Sequence, residues 1–308
     1  MTTNPAQTQS DIWSEWLLHR RHGDSAQQAD NLRPAIDSYA ARVLEGAKLQ
    51  TGMTLVDVGT GEGLIALLAI ARIGPSLKVI MTDISLPMLH YTEQLIAQRG
   101  IGNECSFIHA SAEDLSAIPD NSVDVVTTRS VLAYVADKRL AFREMFRVLK
   151  PGGRISLAEP VFRDDAIKIL AMKNWIDQHP DHEQTRYMQL VHQWKSAQYP
   201  DTLEKIAADP MTNYSERDLF IMATESRFAE IHVELHIDST LRAAPQWDQY
   251  IECSPHPLAP PLSIILQQHF TPEDRHFFEQ TMRPLLEKGE LEGIERMVYL
   301  TATKPVSA

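Results

Sequence analysis

Residues Val56-Asp57-Val58-Gly59-Thr60-Gly61-Glu62-Gly63 join a short strand-like run, Met53 to Val58, to an apolar helix-like run, Leu64 to Ile73. A strand, a glycine turn and a helix in that order form a crossover that presents backbone N–H groups to a nucleoside-bearing ligand. Glycine permits the tight turn and the close approach, because a side chain there would collide with the ligand. Pyrophosphate sites usually read G-x-G-x-x-G. Here Leu64 holds the last position and the third glycine comes one residue early, at Gly63. Asp57 ends the strand just before the turn. Its carboxylate would repel a pyrophosphate but could receive a cationic amino group, directly or through water.

Downstream the pattern alternates strand and helix, as a parallel α/β sheet requires. Lys78–Asp83 reads as a second strand, and Ser85 as the N-cap of a helix carrying Met88, Leu89, Thr92, Leu95 and Ile96, with Gly100 at its end. Cys105–His109 and Ser122–Thr128 read as strands three and four. Asp137 caps a helix to Leu149, and Pro151-Gly152-Gly153 turns into a fifth strand, Arg154–Glu159. Ser215 with Asp218 resembles a capping box on a helix to Ser226, followed by long strands at Ala229–Ile237 and Met297–Thr303. Ahead of this run, Asp11–Arg21 reads as a helix with Ile12, Trp13, Trp16 and Leu17 as its apolar stripe, and Asn31–Glu45 as a second helix. Residues 1–10 are polar and expected to fray.

The chain has 308 residues and a net charge of −12, so phosphate backbones and anionic membrane surfaces are disfavoured as partners. The densest basic cluster is only His19-Arg20-Arg21-His22. No apolar run reaches the roughly 18–20 residues that span a bilayer. No basic segment followed by an apolar core opens the chain, and its two cysteines, Cys105 and Cys253, give no disulfide framework. A cytoplasmic protein acting on a small-molecule substrate, with no nucleic acid and no membrane partner, is the expectation.

The turn with Asp57 resembles motif I, D-x-G-x-G-x-G, of class I S-adenosylmethionine (SAM)-dependent methyltransferases. Arg147-Val148-Leu149-Lys150-Pro151-Gly152-Gly153 resembles that family's R-V-L-K-P-G-G turn, and Ser111-Ala112-Glu113-Asp114-Leu115 its D-A-E-x-L adenine loop, with Ser111 departing from the usual acid. The resemblance runs from about Arg42 to Lys304. It implies a seven-stranded, mostly parallel Rossmann-like sheet with helices on both faces and the last strand antiparallel beside the fifth. SAM is the implied cofactor and S-adenosylhomocysteine the product. Asp57, Gly59, Thr60 and Gly61 would lie against it. Asp83 would hold the ribose hydroxyls, Ile84 one adenine face, and Ser111, Ala112 and Glu113 the adenine edge, with Arg129 near the methionine carboxylate or an acidic substrate.

Segments 163–214 and 239–294 exceed what such a fold needs for its connections. They are read as a mostly helical cap over a core of 47–162, 215–238 and 295–308, with residues 1–46 as an N-terminal helical lid. The stripes Ile167-Leu170-Ala171-Trp175 and Phe277-Phe278-Met282-Leu285-Leu286 are the apolar faces expected of the cap. Lid and cap also offer surface for a homodimer. His179, His182 and His192 lack one-face metal spacing, and no metal is expected.

Methyl transfer from a sulfonium is an in-line displacement that needs alignment and exclusion of water, so no obligatory catalytic motif exists to be read. An oxygen or carbon acceptor would need a base where nitrogen or sulfur need not. Glu159, at the end of the fifth strand, and Tyr134 are the catalytic candidates. Non-methylating use of SAM in lyase or pericyclic chemistry, and methylation of protein or RNA, are the alternatives.

Overall fold

Val56 and Val58 point to one face of the sheet and Leu55 to the other, and Val126 and Val125 divide in the same way. A strand apolar on both faces must be covered on both, which is the condition of a parallel sheet inside an α/β sandwich. The computed structural model describes residues 10–101, 104–241 and 246–306. Strands β1 (Thr54–Val58), β2 (Lys78–Asp83), β3 (Cys105–His109), β4 (Val123–Arg129), β5 (Leu149–Pro160), β6 (Ala229–Leu241) and β7 (Glu292–Thr303) form one sheet in the order 3-2-1-4-5-7-6. The first five pair in parallel, and β7 runs antiparallel between β5 and β6.

One face carries α5 (Lys138–Val148) and α9 (Glu216–Glu225), burying Phe142, Met145, Leu219 and Met222. The other carries α2 (Ala26–Ala47), α3 (Leu64–Ile73) and α4 (Leu86–Arg99), through Ala40, Val43, Ile65, Ala69 and Ile96. Each large side chain so buried contributes about 1.5–3 kcal/mol. Ser85 caps α4 as expected, its Oγ accepting from Met88 N at 3.2 Å, and the Ser215/Asp218 capping box forms.

Two local expectations are corrected. Pro151-Gly152-Gly153 lies within β5: Val123 pairs with Leu149 and Val125 with Arg154, so the three residues are an irregularity inside the strand. Gly152 N donates to Lys304 O and Lys304 N to Gly153 O, each at 2.8 Å, which continues the ladder through the distortion. In α6 (Arg163–Gln178) the buried residues are Ala166 and Ile169, whereas Ile167 and Ala171 are exposed. The inward face of α6 borders a cavity, so it carries Asp165 and Lys168 beside Ile169 and Met172 and does not read as an apolar stripe.

The two long inserts share one hydrophobic cluster. Leu190 and Trp194 of α7 (Thr185–Ser196), Trp247 of α10 (Trp247–Tyr250), Leu262 and Ile265 of α11 (Leu262–His269), and Phe278, Met282 and Leu286 of α12 (Pro272–Glu287) pack together. A short α8 (Leu203–Ala208) completes the helices. No helix among the described residues is long and apolar enough to cross a membrane.

Candidate functional site

The glycine turn sits where strand order reverses between β1 and β4, the place at which open α/β sheets bind ligands. Gly63 has φ +77°, and a Cβ there would stand 2.7 Å from Thr92 Cγ2, so only glycine fits this early third position. Thr60 N donates to Thr82 O at 2.9 Å and Gly61 N to Asp83 Oδ2 at 2.8 Å, which fastens the turn to the end of β2. Thr92 Oγ1 donates to Gly61 O at 2.6 Å from the α4 side.

Asp57 is buried beneath the turn and accepts from Thr60 Oγ1 at 2.8 Å and Thr127 Oγ1 at 2.9 Å. Burial pushes its carboxyl up to about 6 against the opposing pull of the two hydroxyls. Asp83 accepts from Gly61 N and Ser85 N, one amide on each oxygen. A carboxylate oxygen has a second acceptor site, so both oxygens remain able to take a hydroxyl proton.

A cavity of about 740 Å³ runs from this turn to the inserts. Asp57, Gly59, Thr60, Gly61, Asp83, Ile84, Ser111, Ala112, Glu113, Arg129 and Tyr134 all line it. Ile84 is 55% exposed, an unsatisfied apolar surface beside Asp83. Ser111 Oγ accepts from Glu113 N at 3.2 Å, and Glu113 Oε1 accepts from Asp137 N, so the loop is held from both sides. The Arg129 side chain makes no hydrogen bond or ion pair within the described residues. Its charge lies near those of Asp57 and Glu62, and burial lowers its affinity for the proton. Ser130 beside it has φ +58°, a strained value for a residue other than glycine and characteristic of functional turns.

Glu159 does not line the cavity. It is fully buried, with Oε1 accepting from Thr128 Oγ1 at 2.6 Å and Oε2 from the amides of Val131 and Leu132 at 2.9 Å. The expected substrate-facing carboxylate is instead the cap of the turn Leu132–Tyr134, because three donors at the end of β4 draw it inward. Tyr134 does face the cavity, and burial, then the Glu159 charge, push its phenol well above the usual range. It can donate a hydrogen bond but cannot take a proton near neutrality.

The N-terminal segment closes one wall. Asp11 caps α1 (Ile12–Glu15), which continues as a π-helical turn, Trp16–Arg20. Trp13 meets Tyr134 edge-on at 5.1 Å, and Trp16 Nε1 donates to Ser254 O at 3.0 Å. Arg20 reaches the carbonyls of Pro257 and Ala259 in the second insert, and Arg21 bonds Glu62 of the glycine turn. The proline cluster at 255–261 thus supplies acceptors for the basic cluster. His179 caps α6 and stacks on Trp175 at 4.7 Å, His182 lies in the next turn, and His192 is in α7, so the three do not share a helix face.

A model of the methyltransferase-domain family matches residues 49–212. The chain belongs to that family. The matched model is that of a methyltransferase domain. The chain is 36% identical over 116 residues to the ubiquinone/menaquinone biosynthesis C-methyltransferase UbiE of Hahella chejuensis, covering 38% of this chain and 46% of the relative. It therefore spans less than half the length of that relative. The fold matches the YcgJ protein of Bacillus subtilis with TM-score 0.56 at 19% identity, covering 87% of this chain and 98% of that one. It also matches the [4+2]-cyclase SpnF with TM-score 0.50 at 20% identity, covering 89% and 82%.

Proposed function

We propose that this methyltransferase transfers the methyl group of SAM to a small-molecule metabolite held under the inserts, by in-line displacement. One observation carries the reading: the glycine turn and Asp83 line one cavity together with residues of both inserts and with Trp13, Trp16 and Leu17 of the N-terminal segment. Such a site can enclose an acceptor and exclude water, whereas a polymeric substrate needs an open groove.

In this reading residues 1–46 are a lid, 47–162 with 215–238 and 295–308 the cofactor core, and 163–214 with 239–294 the cap. The Asp83 carboxylate takes the ribose hydroxyls, Ile84 and Ala112 flank the adenine, and Arg129 takes the methionine carboxylate. With SAM bound, the sulfonium supplies an activated methyl. The protein then orients the acceptor and keeps water from the path. The name of the UbiE relative brings a carbon acceptor among the candidates, but less than half of that protein is matched, so the acceptor is better read from the cavity itself.

Calorimetry with S-adenosylhomocysteine tests cofactor binding, and transfer of a labelled methyl from SAM to a metabolite extract tests turnover. Absence of binding by the wild-type chain would remove the reading. A product without the added mass of one methyl would instead favour the non-methylating use of SAM.

A further inference from the structure

β6 ends the sheet, with β7 on one side and no strand among the described residues on the other. An open edge of this length, Ala229–Leu241, is a template for a further strand. Its two faces differ. His232, Glu234, His236 and Asp238 alternate on the face toward α2, where Arg42 Nη2 reaches Glu234 Oε2 at 2.7 Å. Ile231, Val233, Leu235 and Ile237 alternate on the face toward α9. Ile231 and Val233 pack in the cluster that holds Leu219 and Met222 of α9, whereas Leu235 and Ile237 lie outside it, 38% and 58% exposed. On α9, Glu225 is held by Arg139 of α5 at 2.8 Å, which turns that flank toward the interior of the sheet. Phe220 lies about 140° round the helix from Glu225, on the flank beside the open edge, and is 46% exposed.

A strand laid antiparallel on this edge sets outward-facing backbone groups against outward-facing ones, so opposed residues of two β6 copies share parity. The two-fold axis then falls at one residue, which opposes itself. Centred on Glu234 the pairing sets that carboxylate against its own copy, and centred on His236 it sets Glu234 against Asp238. Centred on Val233 it runs into the bulge, where the register shifts between Ala229 and His232 and Glu230 has φ +49°. Centred on Ile237 it sets Leu235 against Ser239. Centred on Leu235 the positions are complementary. Leu235 meets Leu235, Ile237 meets Val233, Glu234 meets His236 and His232 meets Asp238. Ile237 of one copy also comes beneath Phe220 of the other, because α9 stands over Val233.

We propose that the β6 edge is an interface between two copies of this chain, which join their sheets antiparallel about Leu235 and seat each Ile237 under the other's α9. The polar row is already ordered in the single chain. Glu234 Oε1 stands 3.1 Å from His232 Nε2 and Oε2 2.9 Å from His236 Nε2, so the row has only to extend across the axis.

Sedimentation of the full chain tests the interface. The wild type should sediment at twice the mass of one chain in the micromolar range. Leu235→Lys sets two like charges opposite each other at the axis and should raise the dimer dissociation constant about 10²-fold or more. Phe220→Ser, on α9, should raise it roughly tenfold, as truncation of an aromatic anchor does. Both side chains are exposed in the single chain, so amide protection in β1–β5 should stay as in wild type, which separates lost pairing from lost fold. Single cysteines under a mild oxidant read the register, with the linked peptides identified by mass spectrometry. Leu235→Cys should link to its own copy, because opposed Cα atoms lie about 4.5–5.5 Å apart. Val233→Cys and Ile237→Cys should not. A wild type that stays monomeric throughout the micromolar range, a dimer untouched by Leu235→Lys or by Phe220→Ser, or linkage through position 233 or 237 in place of 235 would overturn the proposal.

Discussion

Arg21 Nη2 stands 3.1 Å from both carboxylate oxygens of Glu62, joining the N-terminal segment to the glycine turn that lines the cavity. The guanidinium also lies over the Trp16 ring, 5.8 Å from its centroid. Both partners are largely withdrawn from solvent, at 15% and 27% side-chain exposure, so the pair is better shielded than a surface bridge. Arg21→Met should therefore loosen the segment without unfolding the core. The expected result is a dissociation rate for S-adenosylhomocysteine raised about 3–10-fold, since truncating a partly buried pair acts mainly on dissociation. Stopped-flow displacement would measure it, and faster hydrogen exchange over residues 11–25 should accompany it.

Arg129 faces the cavity near the charges of Glu62 and Asp57, and among the described residues its side chain is hydrogen-bonded to neither, which leaves its donors for a carboxylate. Arg129→Met should weaken S-adenosylhomocysteine binding roughly 10–100-fold, the range of a hydrogen bond to a charged group. Methylthioadenosine, which keeps the nucleoside and lacks the carboxylate, should bind the variant as it binds wild type. Equal losses for the two ligands in calorimetry would place Arg129 elsewhere than at the carboxylate.

Glu159 makes stability depend on pH in a definite sense. Burial pushes its carboxyl up to about 7, above the ordinary value of 4.5, despite the donors from Thr128, Val131 and Leu132. Between those values the native state holds a proton that the unfolded chain has lost, so the unfolding free energy falls as pH rises. Asp57, raised from 3.8 to about 6, acts in the same direction over its own window. Glu159→Gln can keep all three hydrogen bonds, with its carbonyl taking the two amides and its NH₂ donating to the Thr128 hydroxyl. Urea unfolding should show the variant gaining on wild type by on the order of 1–3 kcal/mol between about pH 5 and about pH 8. An unchanged difference across that range would contradict the assignment.

Phe278 is fully buried in the cluster shared by the two inserts, where it meets the rings of Tyr187, Trp194 and Phe270. Phe278→Ala should cost about 3–5 kcal/mol, the range for truncating a buried ring. Because the sheet has its own two cores, cofactor binding should survive conditions that melt the inserts. Chemical denaturation of this variant should then show an early transition that leaves S-adenosylhomocysteine binding in place. Loss of both in one step would mean the inserts and the sheet unfold as a unit.

The strands and helices around the sheet were legible because their signals are local. Alternating apolar runs, Ser85, the Ser215/Asp218 box and the glycine spacing act within a few residues. The same locality misread Pro151-Gly152-Gly153, which is accommodated within β5 because β4 and the segment after β7 both bond around it. It also misread α6, where facing a cavity makes polar residues inward, and Glu159, whose direction is set by donors 27 to 31 residues away. The hydrogen bond from Tyr39 to Glu295 was invisible in sequence: they are 256 positions apart, and no spacing rule connects them.

The sequence by itself determined the glycine turn and the strand ends that carry Asp57 and Asp83, because a backbone turn and its flanking strands act within about thirty residues, and their reading as a SAM site comes from that local pattern. The acceptor end was decided only by tertiary structure. There the antiparallel return of β7, the two inserts and the N-terminal segment bring distant side chains into one cavity, and a side chain's role depends on which donors and charges the fold sets against it.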